Sequence, residues 1–546
     1  MTLRWQERAW AAVVCAALGG GALAQSYERS VLVPGIAGAV DGVSPHGLAG
    51  MNFGPDGTLY VGSVISPGIY RVDVTTGTVE RVVGAPEGEA DDVAIAADGT
   101  LVWTAILAGE LRARRPDGSV VTLAKNLPMI NPVNFTHDGR LFTGQLGQPD
   151  VLLEADITGQ AAPRVVAKGL GGINAFVGDG KNGLYVPMAE RGAVGRVDLA
   201  TGEATVIADG LGQPVAVKAD SHGNLFTIDW TTGKITFVNP SSGETIRIAT
   251  VAPPLDNLAI GPDDTIYVSR PSDNSIVAVN SDTGAQRVLI QGRLAAPGGL
   301  ATIKRNGKPA LLVTDAFGYR FVDAATGETE LLPFDLATRA SSAVAVTEAS
   351  IVISYVRRPT VVVIDRATGR ARHTLSGFKA PMGVTARGAD IFVADYATGE
   401  VLKLMPGASP DRSVVAGGLR GPVGLALDPG GKLIVGEAEA GALLSIDQAT
   451  GTQTTLATGL VQPEGLTVLD DGRIAVAEVG ARRLTMVDPR TGAKTVIADD
   501  LPLGEMFTRA PAPVYMPTGV ATDETGAIYV TCDIDNTLLK FTPKTN

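Results

Sequence analysis

From residue 27 onward the chain is a succession of short runs in which apolar and polar side chains alternate, separated by turns rich in Gly, Asp and Pro. Tyr70 to Val74 and Val79 to Val83 are two such runs, and Leu59-Tyr60-Val61 belongs to another. A period of two predicts strands with one half-buried face, and the helical period of 3.6 does not recur. The turns repeat as well. Asp-x-x-Thr-Gly occurs at Asp73 to Gly77, Asp198 to Gly202, Asp323 to Gly327, Asp365 to Gly369, Asp447 to Gly451 and Asp488 to Gly492, with looser copies ending at Gly243 and Gly284. Each copy lies between two strand-like runs and reads as a hairpin turn whose glycine is left-handed.

A second turn precedes each hairpin, as in Pro55-Asp56-Gly57, His137-Asp138-Gly139 and Asp470-Asp471-Gly472. Each unit therefore holds four short antiparallel strands. The glycines from Gly202 to Gly369 are spaced by 41, 41, 43 and 42 residues, which is the period of a β-propeller blade. Twelve units fit the chain, starting near residues 46, 89, 130, 172, 213, 255, 298, 340, 381, 422, 463 and 517. The predicted fold is all-β, two consecutive six-bladed β-propellers of four-stranded blades.

The last unit ends at Phe541 one strand short, and Arg29 to Val33 is a spare strand at the start. If Arg29 to Val33 completes the sixth blade, Arg287 to Ile290 is free to complete the twelfth. The expected domains are then 25–284 and 285–546. In the alternative, the first strand crosses to the second ring.

Composition fits many short strands joined by many turns: 67 glycines and 33 prolines among 546 residues, with 45% hydrophobic residues, too apolar for disorder. At the N-terminus Arg4 and Arg8 precede an apolar run from Ala9 that ends in Ala22-Leu23-Ala24. Residues 1–24 read as a signal peptide, and the expected location is periplasmic or secreted. No later stretch is long and apolar enough for a membrane-spanning helix. Net charge is −12 without a basic cluster, so nucleic acid is not an expected partner. Of two cysteines, Cys15 lies in the N-terminal segment, which leaves Cys532 alone and no disulfide within the mature chain.

Pro422-Val423-Gly424-Leu425-Ala426 and Pro463-Glu464-Gly465-Leu466 resemble pieces of six-bladed NHL-type propellers and of the regucalcin/gluconolactonase family. The resemblance covers nearly the whole mature chain and implies the fold more strongly than a function. Only Trp103 and Trp230 follow the N-terminal segment, which excludes the tryptophan-per-blade pattern of quinoprotein dehydrogenases and WD-repeat proteins.

Propeller sites are built where each innermost strand begins. Aligned without gaps, that position holds Ala49, Asp91, Asn131, Asn174, Val215 and Asp256 in the first ring. In the second it holds Gly298, Ser342, Met382, Val423, Glu464 and Thr518. Asp91, Asn131, Asn174 and Asp256 are candidate ligands for one Ca²⁺ or another divalent cation (Mg²⁺, Mn²⁺, Zn²⁺), because converging Asp and Asn oxygens are hard donors. The resemblance implies metal-binding roles for Asn131 and Asn174. It also places Ala49 where the family has a metal-binding glutamate and Val215 where it has an aspartate that serves as ligand and base. The plainer reading is that Asn and Asp at strand starts bond to backbone groups in turns.

His46 and Asp256 are the candidate catalytic residues, with His46 as a general acid or base. Asp229 and Arg270 are candidates for binding substrate. In the second ring Asp315, Asp395, Glu437 and Glu478 recur at one register, which suggests a structural role, and Glu464 stands where the family's glutamate would stand. Two functions follow as expectations: a metal-dependent hydrolase or lyase acting on a small lactone, ester or sugar-derived substrate in the first ring, or a non-catalytic scaffold for an envelope protein or carbohydrate. The chain has no Gly-x-Ser-x-Gly, no His-Glu-x-x-His and no phosphate loop.

Overall fold

The computed structural model describes residues 25–65, 68–330, 341–408, 410–505 and 517–544. The proposed leader, 1–24, lies outside them. The described residues form twelve four-stranded antiparallel sheets. Blade one, typical of the set, runs outward through Leu48–Phe53, Leu59–Ser63, Gly68–Val72 and Val79–Val83. Second strands are covered on both faces by neighbouring blades and are almost wholly apolar or small, as in Leu101–Ala105, which is buried throughout. The core is divided into clusters between blades. Leu48, Met51, Leu59 and Tyr70 of blade one, for example, pack with Tyr267, Ile276 and Ala278 of blade six.

Two rings follow from which blades touch. Leu48–Phe53 packs against Leu258–Ile260 of blade six, and Leu300–Arg305 of blade seven packs against Val520–Thr522 of blade twelve. Blades one to six and seven to twelve therefore each close on themselves.

The expected closure is corrected by the strand pairing. Tyr27–Val33 pairs with Thr537–Pro543 of blade twelve, whereas Gln286–Ile290 pairs with Ser275–Val279 of blade six. The first strand thus crosses to ring two, and ring one is built entirely from consecutive residues, Leu48 to Ile290. The boundary expected at 284 moves past Ile290, and residues 27–33 leave the first domain. A short hairpin delivers Gln286–Ile290 to its own blade at little loop-closure cost, so only blade twelve is left without an outer strand. Val33 then buries itself completely among Leu300, Leu538 and Tyr529, a burial on the order of 1.5–3 kcal/mol.

The repeated hairpin does two things. Its aspartate accepts backbone hydrogen bonds across the turn, as Asp198 does from Ala200 and Thr201. Its glycine is left-handed, φ 77° at Gly202 and 72° at Gly327. In every copy but Gly369, which meets nothing within 4 Å among the described residues, it also abuts a main-chain carbonyl in the outermost strand of the preceding blade: a Cβ on Gly202 would lie 2.2 Å from the oxygen of Val166, and one on Gly327 1.9 Å from that of Leu32. Leu32 therefore occupies in blade twelve the place that Leu289 of blade six holds beside Gly77.

The rings are joined by two asparagines at equivalent positions of their last blades. Asn274 accepts from the amides of Gly47 (2.5 Å) and Leu48 (3.3 Å) and donates to the Leu294 carbonyl (2.8 Å). Asn536 accepts from Ala296 (2.7 Å) and donates to Pro45 (2.9 Å). Each bonds the entry segment of its own ring with one end of its amide and that of the other ring with the other end, a locally two-fold arrangement. Both are left-handed, φ 53° and 59°, a conformation asparagine tolerates.

Candidate functional site on the axis of ring one

The innermost strands of blades one, two and three begin with a break in register. In blade two Ala90 is opposite Ala105 and the next paired residue is Val93, opposite Trp103, which leaves Asp91 and Asp92 out of the ladder. The same break falls at Ala49 and Gly50 in blade one and at Asn131 and Pro132 in blade three. A bulge of this kind re-aims side chains, so two columns of residues, not one, stand at the head of the channel.

The outer column carries the residues singled out by sequence. Asp91, Asn174 and Asp256 are half-buried. Asn174 accepts from the amide of Ala175 at 2.8 Å, the local use of an asparagine expected in a turn. Asn131 is buried, and its main-chain carbonyl accepts from Thr104 Oγ1 at 2.5 Å.

The inner column holds Gly50, Asp92, Pro132, Ala175, Ala216 and Asn257. Asp92 accepts at Oδ1 from Val93 N (3.0 Å) and Asn257 Nδ2 (3.3 Å), and at Oδ2 from Val133 N (3.0 Å). One carboxylate thereby ties blades two, three and six together. Gly50 makes this possible, since a Cβ there would lie 2.3 Å from Asp92 Oδ1.

Two residues further along, the odd blades contribute Asn52, Asn134 and Lys218. Asn52 Nδ2 donates to Asn134 Oδ1 (3.4 Å), past the intervening blade, and Asn134 Nδ2 donates to the Phe176 carbonyl (2.9 Å). Lys218 is 4% exposed, and no protein acceptor lies within hydrogen-bonding reach of its Nζ. Burial pushes its pKa down, opposed by the charge of Asp92. Burial likewise pushes Asp92 up, opposed by Lys218 and the three hydrogen bonds. Asp92, Asn257 and Lys218 escaped the sequence reading because the register chosen was one residue short of the inner column. The signal was present: a lysine within the otherwise apolar Pro214–Ala219 strand, and a doubled acid at Asp91-Asp92.

The remaining candidates have structural partners. His46 is completely buried, and its Nε2 donates to the main-chain carbonyl of Asp533 in ring two. Burial lowers its pKa to about 4, against that hydrogen bond, so the imidazole is neutral near pH 7 and sits in the seam between rings. Asp229 accepts from Thr231 and Thr232, N–H and hydroxyl of each. Arg270 pairs with Asp273 in its own blade (3.0 Å).

In ring two the recurring acids hold the loops that lead into their own innermost strands. Asp395 accepts from Lys379 N and Ala380 N, Glu437 from Arg420 N, and Glu478 from Val461 N. Asp315 does the same through the amide of Ala295, ahead of Leu300–Arg305, and in addition pairs with Arg320 and accepts from Phe317 N. Glu464 is fully buried, accepts from Thr518 N (2.9 Å) and is pushed well above the usual carboxylate range by burial. The inner column there is Gly299, Ala343, Gly383, Gly424, Gly465 and Gly519. These small residues let the strands close up: a Cβ on Gly465 would lie 2.0 Å from the Thr518 carbonyl, and one on Gly383 2.0 Å from that of Val423. The space left on that axis is about 70 Å³.

The four candidate ligands of ring one include only two carboxylates, Asn174 already accepts from a backbone amide, and an ammonium lies on the axis below. Among the described residues no group of three or more His, Cys, Asp or Glu is placed to hold a metal.

No protein-family model matches the chain, and no curated protein matches it. Among solved structures it is similar to the GH74 xyloglucanase of Xanthomonas campestris, with 13% identity, 95% of this chain and 100% of that chain covered, and a TM-score of 0.52. It is also similar to the extracellular domain of a putative one-component system from B. thetaiotaomicron, with 12% identity, 96% and 84% covered, and a TM-score of 0.33. At these identities the likeness concerns the fold alone. The resemblance to NHL and regucalcin-type propellers rests on the sequence motifs.

Proposed function

We propose that this protein is an exported, non-catalytic propeller scaffold whose first ring binds a partner molecule without transforming it. The observation that carries the reading is the use made of its acids. Asp92, Asp229, Asp395, Glu437 and Glu478 all accept hydrogen bonds that hold blades, turns or loops. His46, the candidate acid or base, is sealed in the seam between rings. A hydrolase needs a base within reach of substrate and, for the lactonase-like reading, a cation, for which the four ring-one candidates supply only two carboxylates. The NHL-like motifs support a scaffold equally well, and the leader-like residues 1–24 support export.

The test is metal analysis of the purified protein, thermal unfolding with and without Ca²⁺, Mg²⁺, Mn²⁺ and Zn²⁺, and turnover of a panel of lactones and esters. The expected result is no stoichiometric ion, no metal-dependent rise in Tm and no turnover. A bound ion lost together with lactone or ester turnover in Asp91→Ala or Asn174→Ala would replace the scaffold reading with the hydrolase.

A further inference from the structure

We infer that ring two binds a linear aliphatic diamine in a recess at the tail of its channel, with the alkyl chain on an apolar floor and one ammonium each on Glu348 and Asp470. The site lies in the other ring from the binding ring proposed above and does not rest on that reading. The recess has a volume of about 560 Å³, within the roughly 300–1,000 Å³ of small-molecule sites. Among the inner-column glycines of the same ring the space is about 70 Å³. The recess opens where the innermost strands of blades seven, eight and twelve end, at Lys304, Thr347 and Thr522, so it faces away from the seam, which is built from the segments that enter those strands. Ile303, Ala310, Leu311 and Ala324 form its floor, each 9% exposed or less. Blades seven and twelve supply most of the walls, and blades eight and eleven flank that pair in the closed ring. Glu348 of blade eight and Asp470 of blade eleven therefore stand at the two ends of the recess.

The chemistry of the ligand follows from which charges are already matched. Lys304 and Arg366 line the recess against Glu348, Asp470, Asp523 and Glu524. Lys304 Nζ pairs with Glu524 (2.7 Å). Arg366 donates to the main-chain carbonyls of Lys304 (2.7 Å) and Thr347 (3.1 Å), and Asp523 accepts from Thr525 N (2.9 Å) and the Tyr529 hydroxyl (2.8 Å). Glu348 and Asp470 are exposed and have no hydrogen-bond or ion-pair partner among the described residues. Two unmatched carboxylates favour a cation, and the floor between them favours an organic one, since a metal ion needs converging oxygens there. An ammonium carries three donors and no acceptor. A molecule with one ammonium at each end and methylenes between meets both carboxylates and the floor at once.

The test is calorimetric titration of the full chain at low ionic strength with 1,4-diaminobutane, 1,6-diaminohexane and 1,8-diaminooctane, and with hexylamine and hexane-1,6-diol as probes lacking one or both charges. At least one diamine is expected to bind one to one, more tightly than hexylamine and far more tightly than the diol, and to weaken as salt is added. Glu348→Gln and Asp470→Asn should each weaken that diamine by about three- to fivefold, the upper range for an exposed ion pair, with circular dichroism unchanged because both residues are at the surface. Glu203→Gln, at an exposed carboxylate of ring one, controls for the chain's overall acidity and should change nothing. The inference is overturned if no diamine gives heat, if the diol binds as tightly as 1,6-diaminohexane, if Glu348→Gln with Asp470→Asn binds as wild type does, or if Glu203→Gln weakens binding equally. Each of these leaves the scaffold reading intact, since that reading falls only to metal-dependent turnover.

Discussion

Replacing Gly327 by alanine tests whether the repeated hairpin glycine packs blades together as well as turning the chain. At φ 72° an alanine meets the left-handed penalty, about 1–2 kcal/mol. Its Cβ would also stand 1.9 Å from the Leu32 carbonyl oxygen. Cβ contacts shorter than 3.0 Å are essentially never adopted, so the Tyr27–Val33 strand must recede by about 1 Å. Overpacking of that kind costs about 1–3 kcal/mol, for a total of about 2–5 kcal/mol. Gly472 is the matched control: its φ is 84°, and a Cβ there meets nothing within 4 Å. Gly472→Ala should cost only the backbone penalty, about 1–2 kcal/mol. Urea unfolding measures both variants, and hydrogen exchange of residues 27–33 reports the docked strand directly. Faster exchange of that strand is expected in Gly327→Ala alone. Equal destabilisation by both substitutions, with the strand equally protected, would refute the packing argument and reduce the motif to a turn.

Two further predictions follow from the topology and the seam. A chain begun at residue 34 should lose stability in ring two and keep ring one, because Val33 packs with Leu300, Tyr529 and Leu538 and not with blade six; two-step thermal unfolding in which ring one melts first would contradict the strand assignment. The seam also predicts a pH dependence. Burial, opposed by the amides of Glu505 and Gly504, raises Asp533 to about 7, so the folded state holds a proton that the unfolded chain releases near 3.8, and this group makes stability fall as pH rises from about 4 to 7. His46, lowered to about 4, does the reverse: the unfolded chain takes up a proton first, and stability falls as pH drops below about 6.5. Between pH 4 and 6.5 the two slopes, each about 1.4 kcal/mol per pH unit, oppose one another. Asp533→Asn should therefore tilt the stability profile upward with pH relative to wild type, and His46→Gln should tilt it downward. Identical slopes in all three proteins would show that these groups do not titrate as their burial requires.

The alternation of apolar and polar residues, the spacing of Asp-x-x-Thr-Gly and the turn before each second strand are local features. They sufficed for the strand type, the blade and the number of blades, because hairpins form between neighbours in the chain. Loop holding by Asp395, Glu437 and Glu478 was legible for the same reason: an acid recurring at one register does one repeated thing. Tyr27–Val33 shows where such reasoning stops. Any blade lacking an outer strand can accept it, and the choice depends on which blade the following hairpin has already completed.

The ring-one centre lies further from the sequence. Asp92 and Asn257 are 165 residues apart, and they meet because Gly50 of the blade between them leaves room. Lys218 faces Asp92 only once the ring has closed. The amino-acid sequence alone determined a twelve-bladed, turn-rich β protein with a run of Asp and Asn at the inner strand starts of its first half. Tertiary structure decided which of those residues reach the axis, because a two-residue bulge shifts the inward-facing column by one position, and a one-residue shift in a strand turns a side chain to the other face.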